Sequence, residues 1–213
     1  MKKSQQWTAI DFFSGCGGMS CGFARRDRFR MVAAVDAEIA KPSDVVGRLG
    51  CNATYAANIG LTPFERDIAT LDPEAFVAEV REATELPLRP GDLTAFLCCP
   101  PCTDFSRAKP SNHLQDSPKN SLVVKCADFV DLLRPEFVLM ENARELIRGN
   151  HPHHFRGFRE RLEGMGYDVV GEVHTLTSFG LPQIRERALV IASRVCPVKT
   201  LSDLWAGWRV RES

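Results

Sequence analysis

The feature that most restricts the fold is the apolar run at residues 7–13, which ends in Ser14-Gly15-Cys16-Gly17-Gly18 and leads into a helical pattern over 19–26. A buried strand, a glycine turn and a helix make the first unit of an α/β sheet, since strands that run parallel need a crossover and a helix supplies it. The alternation continues along the chain. Residues 29–35 form a second apolar run ending at Asp36, and a helical region with a break near Gly47 and Gly50 reaches Asn58. Residues 73–84 place Phe76, Val77 and Val80 at helical spacing behind Pro73 and Glu74, which suit a first turn. Strands are expected at 93–99, 137–140, 167–176 and 187–193, with helices at 122–133 and about 153–165. This order predicts an α/β fold with a mostly parallel sheet and helices on both faces.

Composition narrows the class of partners. The 213 residues are 44% hydrophobic and 25% charged, the balance of a folded soluble domain. Lys plus Arg and Asp plus Glu are 27 each, so no global positive field draws the chain onto nucleic acid or anionic lipid, and any such contact must be local. No signal peptide and no membrane span is visible, which points to a cytoplasmic protein with no membrane partner. Eight cysteines in a chain of this length are too sparse for a disulfide scaffold and are expected as reduced thiols.

In an open α/β sheet, ligands sit beyond the carboxyl ends of the strands. The residues that follow the apolar runs are Gly15, Gly17 and Gly18, then Asp36, Asp67, Cys102, and Glu141 with Asn142. A glycine loop followed about 20 residues later by an acid suits a nucleoside-bearing cofactor. A dinucleotide fits less well, because Ser20 stands where the third glycine of G-x-G-x-x-G would be, and an NAD-dependent oxidoreductase is correspondingly distant. The spacing of Cys99-Pro100-Pro101-Cys102 is that of a metal or redox pair, yet no second pair accompanies it and two prolines hold an extended loop. Cys98 and Cys99 read as small core residues, whereas Cys102 lies past the strand. Burial and a nearby thiolate would each favour the neutral form of Glu141 and make it a proton donor, the alternative being an exposed strand-end carboxylate. Gln183, Arg185 and Arg187 alternate, which in an extended segment puts all three on one face suited to phosphate or base. His151, His153 and His154 read as a helix entry, and no metal is expected, because no Cys, Asp or Glu lies nearby in sequence at ligand spacing. Glu38 is expected to face solvent.

Taken together, these blocks resemble the C5-cytosine DNA methyltransferases over about residues 10–193. Asp11-Phe12-Phe13-Ser14-Gly15-Cys16-Gly17-Gly18 is similar to the family's S-adenosylmethionine loop. Asp36 matches its ribose-binding acid, and Asp67 with Ile68 the pair that contacts adenine. Pro100-Pro101-Cys102 with Phe105-Ser106 resembles the nucleophile loop, Glu141-Asn142-Ala143 the Glu-Asn-Val block, and Pro182-Gln183-Ile184-Arg185-Glu186-Arg187 the Gln-x-Arg-x-Arg block. The chain departs from the family at Thr103, where Gln is usual, at Ala143, and at Asp116-Ser117-Pro118-Lys119, where Asp-Ser-Arg is usual.

The resemblance implies a Rossmann-like fold with a catalytic and cofactor-binding domain at 1–195 and a C-terminal segment at 196–213, either an edge helix or a tail that docks a partner. It implies that Cys102, Glu141, Arg187 and Arg185 are catalytic. Asp11, Phe13, Gly15, Cys16, Gly17, Gly18, Asp36, Asp67, Ile68, Pro101 and Leu122 would hold S-adenosyl-L-methionine, leaving S-adenosyl-L-homocysteine as product. Pro100, Ser106, Asn142 and Gln183 would contact substrate. The implied reaction adds the Cys102 thiolate to carbon 6 of a flipped-out cytosine in double-stranded DNA, so that carbon 5 becomes nucleophilic, as in restriction-modification enzymes. Family members carry a target-recognition region and further blocks after the Gln-x-Arg-x-Arg strand. Four alternatives therefore stand at this point: a subunit whose second protein chain supplies recognition, a fragment, a minimal enzyme, or a silent module that binds cofactor. An RNA target is a fifth.

Overall fold

The computed structural model describes residues 6–39, 50–101, 116 and 120–212, with 207–212 described by backbone alone. The chain divides into two compact units, Met1–Cys99 with Asp128–Pro135, and Pro100–Ala127 with Glu136–Ser213.

The first unit is the parallel part. It contains β1 (Trp7–Phe12), α1 (Gly18–Ala24), β2 (Phe29–Val35), α2 (Cys51–Ile59), α3 (Pro73–Thr84) and β3 (Ala95–Cys98). The strands lie in the order β2-β1-β3, both pairs parallel, and Phe12 is opposite Val35 on one side and Cys98 on the other. Every residue of β3 and the last four of β1 are buried, which is why these runs read as continuously apolar and not as alternating. The Phe12 ring packs on Phe96 at 4.8 Å, on Phe76 of α3 at 5.4 Å and on Phe129 at 4.6 Å. Phe129 belongs to α4 (Leu122–Leu133), whose residues from Asp128 onward count with this unit. The α3 boundaries follow from local chemistry: Asp72 accepts the Ala75 amide at 2.8 Å, Pro73 opens the first turn, and Phe76, Val77 and Val80 face inward.

The second unit is antiparallel. It contains β4 (Phe137–Ala143), the short α5 (Glu145–Arg148), α6 (His153–Gly164), β5 (Asp168–Thr175), a single 3-10 turn (Leu176–Phe179), β6 (Glu186–Ser193) and α7 (Leu201–Glu212). The order is β4-β6-β5, and β6 runs antiparallel to both neighbours. The chain between Thr175 and Glu186 is too short for a parallel crossover, so β6 has to turn back. Two expectations change here. The β4 strand does not stop at Met140 but pairs with β6 as far as Ala143, so Glu141 and Asn142 lie inside the strand. β6 begins at Glu186, so Gln183 and Arg185 precede it; Gln183 sits in a tight turn, its amide donating to the Leu181 carbonyl at 2.8 Å, and only Arg187 is on the strand.

α6 buries His154, Phe158 and Leu162, one face at four-residue spacing, and Gly171 of β5 leaves the room that the Phe155 ring uses. α7 is capped by Thr200 and Asp203, each bonding the other, and Trp205 packs on Phe179 at 5.8 Å. Leu204 of the same helix is half exposed. No described helix is long and apolar enough to cross a membrane.

Candidate active site

In the first unit, the turn after β1 is held by its own backbone and by the acid after β2. Phe13, Gly15 and Gly17 all have positive φ, at 57°, 50° and 87°. Gly15 donates its amide to Asp36 Oδ2 at 2.9 Å, and the Glu38 amide donates to Asp36 Oδ1 at 2.8 Å. The Asp36 carboxylate is thus fixed at the strand end against the glycine loop. The two glycines serve different purposes. A Cβ at Gly17 would meet Tyr55 Cδ2 at 3.1 Å and Ile59 Cγ1 at 3.2 Å, whereas a Cβ at Gly15 would meet nothing within 4 Å. Gly17 lets α2 approach, and Gly15 faces open space. Gly18 opens α1 and also has nothing within 4 Å of its Cβ position, and Cys16 is exposed with its carbonyl held by Asn58 Nδ2 at 3.0 Å.

Asp11 lies beneath this loop, 1% exposed. Ser20 donates to its Oδ2 at 2.5 Å, and because that uses the serine proton, Tyr55 donates its hydroxyl to Ser20 at 2.8 Å. Oδ1 is buried without a hydrogen-bond partner. Burial pushes the Asp11 carboxyl up to about 7, with the Ser20 hydrogen bond opposing and Asp36 adding to the shift. Burial raises the Tyr55 phenol as well. Cys51, at the start of α2, is pushed up to about 11, chiefly by burial, then by the neighbouring Cys16 and the acids Asp36 and Glu38. It stays a thiol.

Glu38 is not solvent-facing as expected. It is 7% exposed and accepts the Asn52 amide of α2 at 2.6 Å. Asp67 is exposed, its Oδ1 accepting the Ala69 amide at 2.9 Å, and the adjacent Ile68 is buried. Phe64 pairs beside Val35, so the 64–68 segment lies along the end of β2. Tyr55 and Asn52 were not singled out in the sequence; Ser20 was noted only as a serine where the fingerprint wants glycine, and Glu38 only as an expected surface acid.

In the second unit, Glu141 and Arg187 form an ion pair, Nε to Oε1, at 2.6 Å. The register explains it. Arg187 is opposite Ala143, and Glu141 is two residues back on the same face of β4, the diagonal neighbour within reach of a long side chain. Arg187 Nη1 also donates to the Glu186 carbonyl at 2.8 Å. Asn142 points to the opposite, buried face, 1% exposed, and donates from Nδ2 to the Pro100 carbonyl at 3.0 Å while its Oδ1 takes the Ala143 amide at 2.8 Å. Pro100 is buried, Pro101 and Leu122 are half-buried, and Gln183 and Arg185 are exposed. Cys102 and Ser106 lie outside the described residues. The seven described cysteines are all free thiols, with Cys98 in the core as expected.

The shallow groove of about 520 Å³ bordered by Phe29, Arg30, Ile59 and Ala83 carries neither carboxylate nor thiol and is no candidate for chemistry.

A glycine loop with an acid after the second strand, on this α/β framework, is the arrangement of the Rossmann-like methyltransferases. The fold agrees: the S. pombe Dnmt2 methyltransferase matches with a TM-score of 0.65 at 21% identity over 94% of this chain and 54% of that one. The Entamoeba histolytica methyltransferase EhMeth gives 0.65 at 18% identity, over 92% and 55%. The profile of the C-5 cytosine-specific DNA methylases matches residues 7–201, and the chain belongs to that family. Among curated relatives, the type II methyltransferase M1.HphI of Haemophilus parahaemolyticus is 31% identical over 88% of this chain and 46% of its own length. DNA (cytosine-5)-methyltransferase 1 of Mus musculus is 32% identical over 86% and 11%. The chain therefore spans half or less of the length of these relatives.

Proposed function

We propose that this chain carries the cofactor-binding and catalytic apparatus of a DNA cytosine C5-methyltransferase, with residues 1–195 as that apparatus. The observation that supports it most is the strand pair β4/β6, where Glu141 and Arg187 face each other while Asn142, on the reverse face, ties down Pro100, two residues ahead of Cys102 in the chain.

The first unit fits S-adenosylmethionine by its donor set and its space. Asp36 is held ready to accept ribose hydroxyls, Asp67 and Ile68 border the same strand end, and the space over Gly15 admits a ligand against backbone. The cofactor supplies an electrophilic methyl on a sulfonium when bound. In the second unit, the Cys102 thiolate forms a bond to carbon 6 of the base, and the ring electrons shift toward carbon 5 and ring nitrogen 3. Glu141, held by Arg187, binds the nitrogen 3 edge and relays to it a proton taken up from solvent, while Arg187 also reaches the carbonyl oxygen. Carbon 5 would accept the methyl, leaving S-adenosyl-L-homocysteine; its proton would pass to a base or water, the nitrogen 3 proton would return through Glu141, and the Cys102–carbon 6 bond would break to restore the aromatic ring. Arg185, exposed ahead of β6, meets a phosphate. Asn142 is a positioning residue in this reading, since its amide is already committed to Pro100.

A second reading is favoured by one observation: Leu181 is 50% and Ile184 91% exposed, flanking Gln183. Such apolar exposure suits a surface covered by another chain, which would supply target recognition. Transfer of a labelled methyl group from S-adenosylmethionine to mixed-sequence duplex DNA separates the two. Wild-type transfer that Cys102→Ser abolishes, with cofactor binding intact in both, establishes the first. Cofactor binding without transfer favours the second, and failure to bind the cofactor overturns both.

A further inference from the structure

Apart from the residues above, one cluster stands out in the second unit. No Cys, Asp or Glu lies near His151, His153 and His154 in sequence at ligand spacing, but the fold brings an acid from far away. Asp116 Oδ2 lies 2.9 Å from His153 Nε2, and Asp116 Oδ1 lies 2.7 Å from His154 Nε2. The ring of His151 completes the group: one ligand atom each from Asp116, His151 and His153 falls within 4.8 Å of the others. The cause is the register of α6. His154 shares the inward face with Phe158 and Leu162, so its ring is buried and steadies the carboxylate, while His153, one residue earlier, stays more than half exposed.

A separate observation points to a ligand. His151 Nε2 is buried with no hydrogen-bond partner. A buried polar nitrogen left unpaired costs about 1–3 kcal/mol, and native structures rarely retain one without a reason. His151 offers a ring nitrogen to this group, and an unpaired imidazole nitrogen on a ring beside a second imidazole and a carboxylate is accounted for if a cation is bound among them.

We propose that Asp116, His151 and His153 bind one Zn²⁺ ion, with His154 holding the carboxylate from behind. Two imidazoles and one carboxylate are a Zn²⁺ donor set, and three protein ligands leave a fourth position for water. Ligand atoms around a tetrahedral Zn²⁺ are roughly 3.3 Å apart, so His153 and Asp116 would separate slightly and the His153 Nε2 atom would turn its lone pair to the ion, any proton there moving to Nδ1 or to solvent. A hydrogen-bonded partner on the far side of a ligating group is the usual support, and His154 provides it. Burial is the largest single influence on Asp116 and raises it, but the hydrogen bonds from Asn120 and His154 and the neighbouring imidazoles together outweigh it and hold the carboxyl at about 2. Hard cations are poorly served, since Mg²⁺ and Ca²⁺ take oxygen ligands and only one is offered. The ion would join Asp116 to the start of α6. This site does not depend on methyl transfer.

The test is titration of the full chain with Zn²⁺ in competition with a chromophoric chelator, beside His153→Ala and the double variant His151→Ala/His153→Ala. His153 is exposed, so its removal leaves the fold intact. The expected result is one equivalent bound by the wild type, at least tenfold weaker binding by His153→Ala and none at this site in the double variant. Co²⁺ in place of Zn²⁺ should give the intense visible absorption of a tetrahedral ion, and Zn²⁺ but not Mg²⁺ should raise the melting temperature. Zn²⁺ binding that is unchanged in both variants, as expected of the cysteines acting instead, overturns the proposal, as does the absence of stoichiometric binding by the wild type.

Discussion

Asp11 of β1 and Glu141 of β4 are both strand carboxylates, and their surroundings set them apart. Asp11 is sealed under the glycine loop with one oxygen unpartnered, so its proton is held more tightly in the folded chain than in the unfolded one. Its raised pKa therefore favours folding at low pH, and that contribution is lost as pH rises from about 4 through about 7. The expected outcome is that cofactor-free Asp11→Asn gains on the wild type by on the order of 1 kcal/mol per pH unit across that window and no further above it, read from denaturant melts at fixed pH. Glu141, paired with Arg187 at a partly exposed position, contributes little to folding. Glu141→Gln should leave the melting temperature nearly unchanged yet lower methyl transfer on the order of 100-fold or more, with S-adenosylmethionine affinity kept; a fall in cofactor affinity instead would move Glu141 out of its assigned role.

At the scale of elements, the two loop glycines make opposite predictions. Gly17→Ala forces a side chain into Tyr55 and Ile59 at positive φ, and should cost about 1–2 kcal/mol of stability by denaturant unfolding. Gly15→Ala meets no protein atom, so its larger effect should appear as weaker cofactor binding in calorimetry; if the two variants behave alike, the loop is only a packing turn. The elements most legible in the sequence were those whose signals are local. The Pro73–Thr84 and Leu122–Leu133 helices and the Phe29–Val35 strand fall where periodicity and caps put them. What the sequence hid depends on partners distant along the chain. The last three residues of β4 are a strand only because β6 returns beside them, Glu38 is buried only because Asn52 of α2 meets it, and Asp116 joins the histidines across more than thirty residues. Asn142 illustrates the limit best: its place in a Glu-Asn block was visible, but its bond to Pro100 was not. Asn142→Ala should leave a buried carbonyl unpaired, costing about 1–3 kcal/mol, and should slow transfer without changing cofactor affinity.

For the whole molecule the decisive quantity is charge. With 27 basic and 27 acidic residues the chain has no net field, so the proposed hold on DNA would rest on a few local cations. Two arginines near the β4/β6 pair are already engaged: Arg187 with Glu141, and Arg144 with Glu145 and Glu186. Arg185 is exposed just before β6 and is the one assigned to a phosphate. Each phosphate neutralised contributes about 0.9 to the slope of log affinity against log salt. The isolated chain should therefore bind mixed-sequence duplex DNA weakly, with a shallow slope. Arg185→Ala should flatten that slope by about one unit and weaken all sequences alike, whereas Arg187→Ala should act mainly on turnover. Fluorescence anisotropy on labelled duplex across a salt series measures this directly. A steep slope untouched by Arg185→Ala would place the phosphate-binding surface on other residues, and Arg185 would then have no part in DNA binding.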